Sequence, residues 1–472
     1  MRLGQQAREK ATGYAATRTV KAILALMPRI SNTTLIRLTH LAELLVADTA
    51  QKERVRVIRE KFERNHPSLE AAKRIARRLS VPAREKLIHN LVVNGMLLGT
   101  RRRNSIRESE GWRPPFFIVI SPTMRCNLNC IGCYAGSYER QDVLASADLD
   151  RILNQARELG IYFVTISGGE PFMREDLLDL MQRHNDIYFQ VYTNGTLITD
   201  RVADRLAALG NVAPAISVEG YQAETDHRRG TGVYRKLEQV WKKLVEKGVM
   251  FGFSATPTRH NLELLFSDGF IDSMIEAGAL FGWYFHYIPI GSRPDVNLMP
   301  TPEQRAYARE RVNDLRNRKP IILADFWNDG HLTGGCIAGG RTYLHINANG
   351  DVEPCVFVHF AIDNIRERSL REAINSPLMR AIQKRQPYSP NLMTPCMIID
   401  QPWVLREVVR ETGAHDTDHG GRCLLHEING YLDNYSRSIH GIFDPIWDRE
   451  YGRGRNLRIK YDHQPPSSGA PA

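Results

Sequence analysis

The chain has 472 residues, of which 42% are hydrophobic, 25% charged and 8% aromatic. That is a globular composition, and it excludes a mainly disordered, collagen-like or disulfide-scaffold protein; the length suits about three domains or one large barrel with appendages. The net charge of +10 is uneven: residues 1–110 carry 23 basic and 10 acidic side chains, and the rest is near neutral.

Residues 1–110 read as a basic helical region. Val20, Ile23, Leu24 and Met27 keep helical spacing, as do Leu35, Leu38, Ala42 and Leu45, then Val55, Ile58 and Phe62. Pro28, Pro67 and Pro82 punctuate the pattern. The apolar run Leu87–Gly99 is followed by Arg101, Arg102 and Arg103. A helix of that kind can lie on an anionic bilayer, or it can pack on its neighbours. The opening MRLGQQAREK has no apolar signal-peptide core and no stretch reaches the roughly 18 apolar residues of a membrane span, so a cytoplasmic protein is expected, with peripheral membrane contact through the basic helices as its candidate anionic partner.

Residues 111–320 change rhythm. Six β-rich runs appear: Phe116–Ser121, Tyr162–Ser167, Phe189–Asn194, Ala213–Val218, Phe251–Thr256 and Trp283–Pro289. Helical stretches such as Ala145–Leu159, Asp200–Ala208 and Tyr234–Glu246 lie between them. Such alternation implies parallel strands with right-handed crossovers, either a partial (β/α)6 barrel or a doubly wound sheet. In a barrel, the chemistry lies at the C-terminal strand ends.

Three of the seven cysteines, Cys126, Cys130 and Cys133, fall in one loop directly after the first run. An odd count without a secretion signal argues against a disulfide framework. Three close thiolates can hold zinc or an iron–sulfur cluster, with one position left over. Gly168-Gly169-Glu170-Pro171 follows the second run.

The CxxxCxxC loop after a strand, with Gly-Gly-Glu-Pro after the next, resembles the radical S-adenosylmethionine superfamily. The resemblance covers about residues 116–291 and implies a [4Fe–4S] cluster on Cys126, Cys130 and Cys133, with S-adenosylmethionine on the fourth iron. One electron then yields a 5′-deoxyadenosyl radical that abstracts hydrogen from a substrate. By the same resemblance Gly168, Gly169 and Glu170 hold the methionine amino group, and Thr193 and Asn194 lie near the cosubstrate. Ser217 and Glu219 contact ribose hydroxyls, with Ser254 a weaker match, and Arg229 or its neighbour Arg228 faces the cosubstrate carboxylate. One position departs from the pattern: Gly132 stands where many members carry an aromatic residue beside the adenine, and Tyr134 follows instead.

Residues 321–430 hold the other cysteines and a hairpin signal, Tyr343–Asn347 and Val352–Val356 around Asn349-Gly350. Cys336, thirteen residues, Gly350, four residues and Cys355 resemble the SPASM and twitch extensions of the same superfamily, which implies a small α+β module with one auxiliary [4Fe–4S] cluster on Cys336, Cys355, Cys396 and Cys423. The residues themselves leave zinc open, or plain buried thiols for Cys396 and Cys423. His331, His345 and His359 lie near in sequence. Residues 431–472 read as a helix and a disordered tail ending QPPSSGAPA.

The resulting expectation is a radical S-adenosylmethionine enzyme acting on a peptide, lipid or cofactor precursor, reduced by a flavodoxin- or ferredoxin-type donor. An iron–sulfur electron-transfer protein without radical chemistry is the alternative. No nucleic-acid partner is expected, because no arginine–aromatic recognition motif or zinc-finger spacing is present.

Overall fold

A computed structural model of the chain describes residues 31–46, 49–139, 144–291 and 293–452. The helical pattern at residues 20–28 and the tail beyond residue 452 lie outside the described residues.

Six parallel strands form the frame: β1 Phe117–Ile120, β2 Phe163–Ile166, β3 Tyr188–Thr193, β4 Val212–Ser217, β5 Gly252–Ala255 and β6 Phe281–Tyr284. Their sequences are short, mostly apolar runs buried on both faces, as parallel strands under helices are. The helices between them carry one apolar stripe each. Ser146–Glu158 buries Leu149, Ile152, Leu153 and Ala156, and Val233–Glu246 buries Val233, Leu237, Val240, Trp241 and Leu244. Full burial of each such large side chain contributes about 1.5–3 kcal/mol.

The sheet does not stop at six strands. β7 Ile322–Asp325 joins parallel to β6, so the barrel sheet runs past the expected boundary at residue 320. At the other end β8 His345–Ile346 pairs parallel with β1, and β9 Val352–Glu353 pairs antiparallel with β8. The order is β7-β6-β5-β4-β3-β2-β1-β8-β9. The expected hairpin is therefore present, shorter than its sequence signal, and it extends the barrel sheet. Its turn is an Asx turn: Asn347 Oδ1 accepts from the backbone N–H of Asn349 and of Asp351, each at 3.0 Å, and Gly350 takes φ +91°. A separate two-stranded ribbon, β10 Phe360–Ala361 with β11 His415–Asp416, lies in the C-terminal part, which ends in the helix Asn429–Glu450.

The apolar run Leu87–Leu98 is a π-helix packed on the chain. Asn90 Nδ2 donates to the carbonyls of Asn185 (2.8 Å) and Ile187 (3.1 Å), and Asn94 Nδ2 to that of Asp186 (3.1 Å). Arg103 is fully buried, donates to the carbonyls of Gly160 and Gly95, and lies over the Phe116 ring. Arg102 donates to the Glu158 carbonyl at 3.0 Å. Arg102 and Arg103 thus bond to the protein itself. No helix among the described residues is long and apolar enough to cross a membrane.

Candidate active site

The loop from Ser121 to Glu139 crosses the C-terminal strand ends and carries Cys126, Cys130 and Cys133. Its backbone is fastened to the next strand end: the N–H of Gly169 donates to the Thr123 carbonyl at 2.9 Å and that of Glu170 to the Arg125 carbonyl at 2.8 Å. This contact is what the two glycines make possible. A Cβ on Gly169 would come closer than 3.0 Å to the carbonyls of Arg125 and Met124, and Gly168, at φ +109°, would drive one into Thr123 O.

A cavity of about 530 Å³ opens beside this loop. It is lined by Cys126, Cys130 and Cys133, and equally by Cys336, Cys355 and Cys396. Gly168, Gly169, Thr193, Asn194, Ser217, Arg229 and Ser254 also line it. The structure therefore brings together most of the residues singled out in the sequence.

Three of them stand elsewhere. Glu170 is fully buried and does not line the cavity; its carboxylate accepts from Asn194 N (2.7 Å), Thr193 Oγ1 (2.8 Å) and Phe172 N (3.1 Å). Burial pushes its pKa up to about 7, against the pull of those donors. These contacts fix the end of β3, whereas the resemblance places the carboxylate at the methionine ammonium. Glu219 is placed in a similar way. It is buried, outside the cavity lining, and bonded to both Arg228 and Arg229 and to the Thr256 N–H at 3.0 Å. It holds the two arginines. Cys423, the third, lies in the short helical turn Cys423–Glu427, beside Glu427 and outside the cavity lining. Of the four cysteines expected at the auxiliary site, the other three line the cavity.

The arginines grip the cysteine loop. Arg228 Nε donates to the Ile131 carbonyl at 3.1 Å, and Arg229 Nη1 lies 4.0 Å from Cys130 Sγ. Asn194 Nδ2 bonds Asn127 Oδ1 at 2.8 Å and lies 3.9 Å from Cys126 Sγ. Gly132, at φ +63°, leaves room for the Tyr287 ring, which would meet a Cβ there. Tyr134 donates or accepts at Ser167 Oγ (2.6 Å), and burial pushes its hydroxyl up to about 12.

The second thiol set is supported by phenols. Tyr343 Oη bonds Cys355 Sγ at 2.9 Å, and Tyr388 bonds Cys336. Burial raises all three thiols, Cys355 to about 12, so a cation or cluster would have to displace their protons. The rings of Tyr134 and Phe357, which follow Cys133 and Cys355 closely in sequence, lie 5.4 Å apart. Among the described residues no three His, Cys, Asp or Glu side chains are arranged around a single metal ion; a cluster needs its thiols spread around a larger body. None of the three nearby histidines joins the thiols. His345 bonds Ser121 Oγ (2.7 Å) and Glu353 (2.6 Å), His359 pairs with Asp418, and His331 bonds the Asn328 carbonyl.

Sequence reasoning missed Trp283, His286 and Trp327 on the cavity wall, and Asp325 behind His286. Only the aromatic density at the end of β6 could have signalled them.

Comparison with known proteins gives the same division. Residues 120–259 match the family model described as the radical SAM superfamily, and residues 336–397 that of SPASM, an iron-sulfur cluster-binding domain. The chain is 30% identical over 299 residues to the mycofactocin maturase MftC of Mycobacterium tuberculosis, covering 59% of this chain and 75% of that protein. It is 27% identical over 338 residues to the PqqA peptide cyclase of Streptomyces rochei, covering 67% and 86%. The crystal structure of SuiB from Streptococcus suis, bound to S-adenosylmethionine, shares the fold with TM-score 0.52 at 22% identity, over 64% of this chain and 76% of that one.

Proposed function

The chain belongs to the radical S-adenosylmethionine superfamily and carries its SPASM iron–sulfur module, and from that premise we propose how its own residues divide the work on a peptide substrate. It is an enzyme that uses S-adenosylmethionine and iron–sulfur clusters. When bound, the first cluster supplies the electron that converts the cosubstrate's sulfonium into a 5′-deoxyadenosyl radical.

In this reading Cys126, Cys130 and Cys133 hold that cluster, and Cys336, Cys355 and Cys396 hold an auxiliary one. Arg229, fixed by Glu219, faces the cosubstrate carboxylate. The backbone of Gly168 and Gly169 and the Asn194 amide line its methionine end, and Ser217 and Ser254 its ribose. Glu170 keeps β3 and the loop in register. The aromatic wall excludes water from the reacting atoms. A peptide substrate is supported by a similar protein, a peptide cyclase. A flavodoxin- or ferredoxin-type protein is the electron donor in this reading. Peripheral membrane contact has only the basic charge of residues 1–110 in its favour.

The observation that carries the proposal is that six of the seven cysteines line one cavity, in two sets of three. Anaerobic reconstitution, reduction and assay for 5′-deoxyadenosine test it. Formation that is lost in Cys126→Ala is expected. Iron-loaded protein that binds no S-adenosylmethionine would overturn it.

A further inference from the structure

The scheme above gives no work to a buried polar network that joins the first cysteine loop to the hairpin of the auxiliary module. Its centre is Glu353 on β9, two residues before Cys355. Glu353 is fully buried, and both of its carboxylate oxygens are engaged. Oε2 lies 2.6 Å from His345 Nδ1. Oε1 accepts from Tyr138 Oη at 2.7 Å, from Asn347 Nδ2 at 2.9 Å and from Thr417 Oγ1.

Two of these links run to the loop that carries Cys126, Cys130 and Cys133, one at each end. At its start, Ser121 Oγ meets His345 Nε2 at 2.7 Å, so the His345 ring connects the loop's first residue to Glu353. At its far end, Tyr138 reaches the same carboxylate directly. A parallel connection lies beside it. Ser137 Oγ donates to Asp418, Asp418 pairs with His359 at 2.8 Å, and the His359 ring lies 4.7 Å from that of Tyr138. Between the two ends, Met124, Ala135 and Tyr138 pack with Ala348 of the hairpin turn, and Cys133 borders that cluster.

Stability alone does not account for this arrangement. A buried carboxylate is costly to desolvate, and apolar side chains of similar volume often serve a core as well. What hydrogen bonds add over apolar packing is direction. An ionised carboxylate only accepts, so each partner is a donor aimed at it, and together they fix both loop ends relative to β9.

We propose that Glu353, although it belongs to the auxiliary module, is a positioning residue for the first cluster site: it pins both ends of the Cys126–Cys133 loop and so sets the pose in which that site takes S-adenosylmethionine. This rests on the reading of that loop under the proposed function.

Amide hydrogen exchange and calorimetric titration with S-adenosylmethionine, both on anaerobic holoenzyme, test it in wild type and Glu353→Gln. Glutamine keeps the size but has one acceptor oxygen where the network needs two. Exchange in residues 121–139 should be about 10-fold faster and S-adenosylmethionine binding about 5- to 10-fold weaker, the effect of one lost charge-assisted hydrogen bond. A carboxylate that only stabilises its own hairpin would speed exchange in residues 340–361 alone. Faster exchange confined there, or unchanged S-adenosylmethionine affinity, would overturn the proposal. Should Glu353→Gln fail to fold or to take up its clusters, Tyr138→Phe carries the test, since it removes one hydroxyl and leaves the His345 link in place. It should move both readouts about 5-fold, and wild-type values would again overturn the proposal. Wild-type holoenzyme that binds no S-adenosylmethionine sinks the proposed function; binding in wild type confines any failure to Glu353.

Discussion

The two thiol sets face one cavity but are built by opposite means. Cys126, Cys130 and Cys133 sit in one short loop whose shape is set by neighbours at adjacent strand ends and by two arginines. Cys336, Cys355 and Cys396 are spread over some sixty positions and meet only because a hairpin, two helices and the turn before Pro402 pack together. Their supports also differ: cationic and amide groups around the first set, phenol hydroxyls around the second. A locally encoded site tolerates changes elsewhere in the fold; an assembled one depends on it.

The sharpest test of that contrast lies in Cys396 and Cys423. Cys396→Ala should remove one cluster, about four iron atoms per chain, whereas Cys423→Ala should leave the iron content unchanged; iron and sulfide analysis reads both. A smaller effect is expected at Glu219. Glu219→Gln leaves Arg228 and Arg229 partly buried without their counter-charge, a loss of about 3–5 kcal/mol in urea unfolding, together with weaker S-adenosylmethionine binding. Glu170 gives a pH signature. Its carboxyl titrates near 7 in the folded chain against an ordinary 4.5, so the folded state binds that proton more tightly and stability falls as pH rises between about 4.5 and 7. The unfolding free energy of the cluster-free chain, less that of Glu170→Gln, should drop by at most about 3 kcal/mol across that window. The smallest change is Tyr343→Phe, which removes one hydrogen bond to Cys355 and costs about 1 kcal/mol; it should shift the midpoint potential of the auxiliary cluster and leave that of the first unmoved, read by potentiometric titration.

What could be read in the sequence follows the same division. The parallel strands, their helices and the first cysteine loop depend on local pattern, and the six strands fall within two residues of their expected starts. The partners of Glu170 and Glu219 were not legible in the sequence. Position after a strand says that a carboxylate is near the cavity, but which way it turns depends on partners far along the chain, the N–H of Asn194 in one case and the arginines in the other. Cys423 shares the sequence region of the other three, and nothing local shows that its turn sets it beside Glu427. β7 and the His286–Asp325 pair were missed because Ile322–Asp325 is too short to stand out beside the helix Pro302–Arg318.

The hairpin carries one more consequence. Since β8 bonds directly to β1, the backbone N–H groups of Val119 and Ser121 are satisfied by the carbonyls of Leu344 and Ile346. A truncated protein that stopped before residue 340 would leave a bare, strongly apolar ribbon at the rim of its barrel, a template for self-association. The iron–sulfur module therefore doubles as a solubility cap, and excising it to study the barrel alone would yield aggregates.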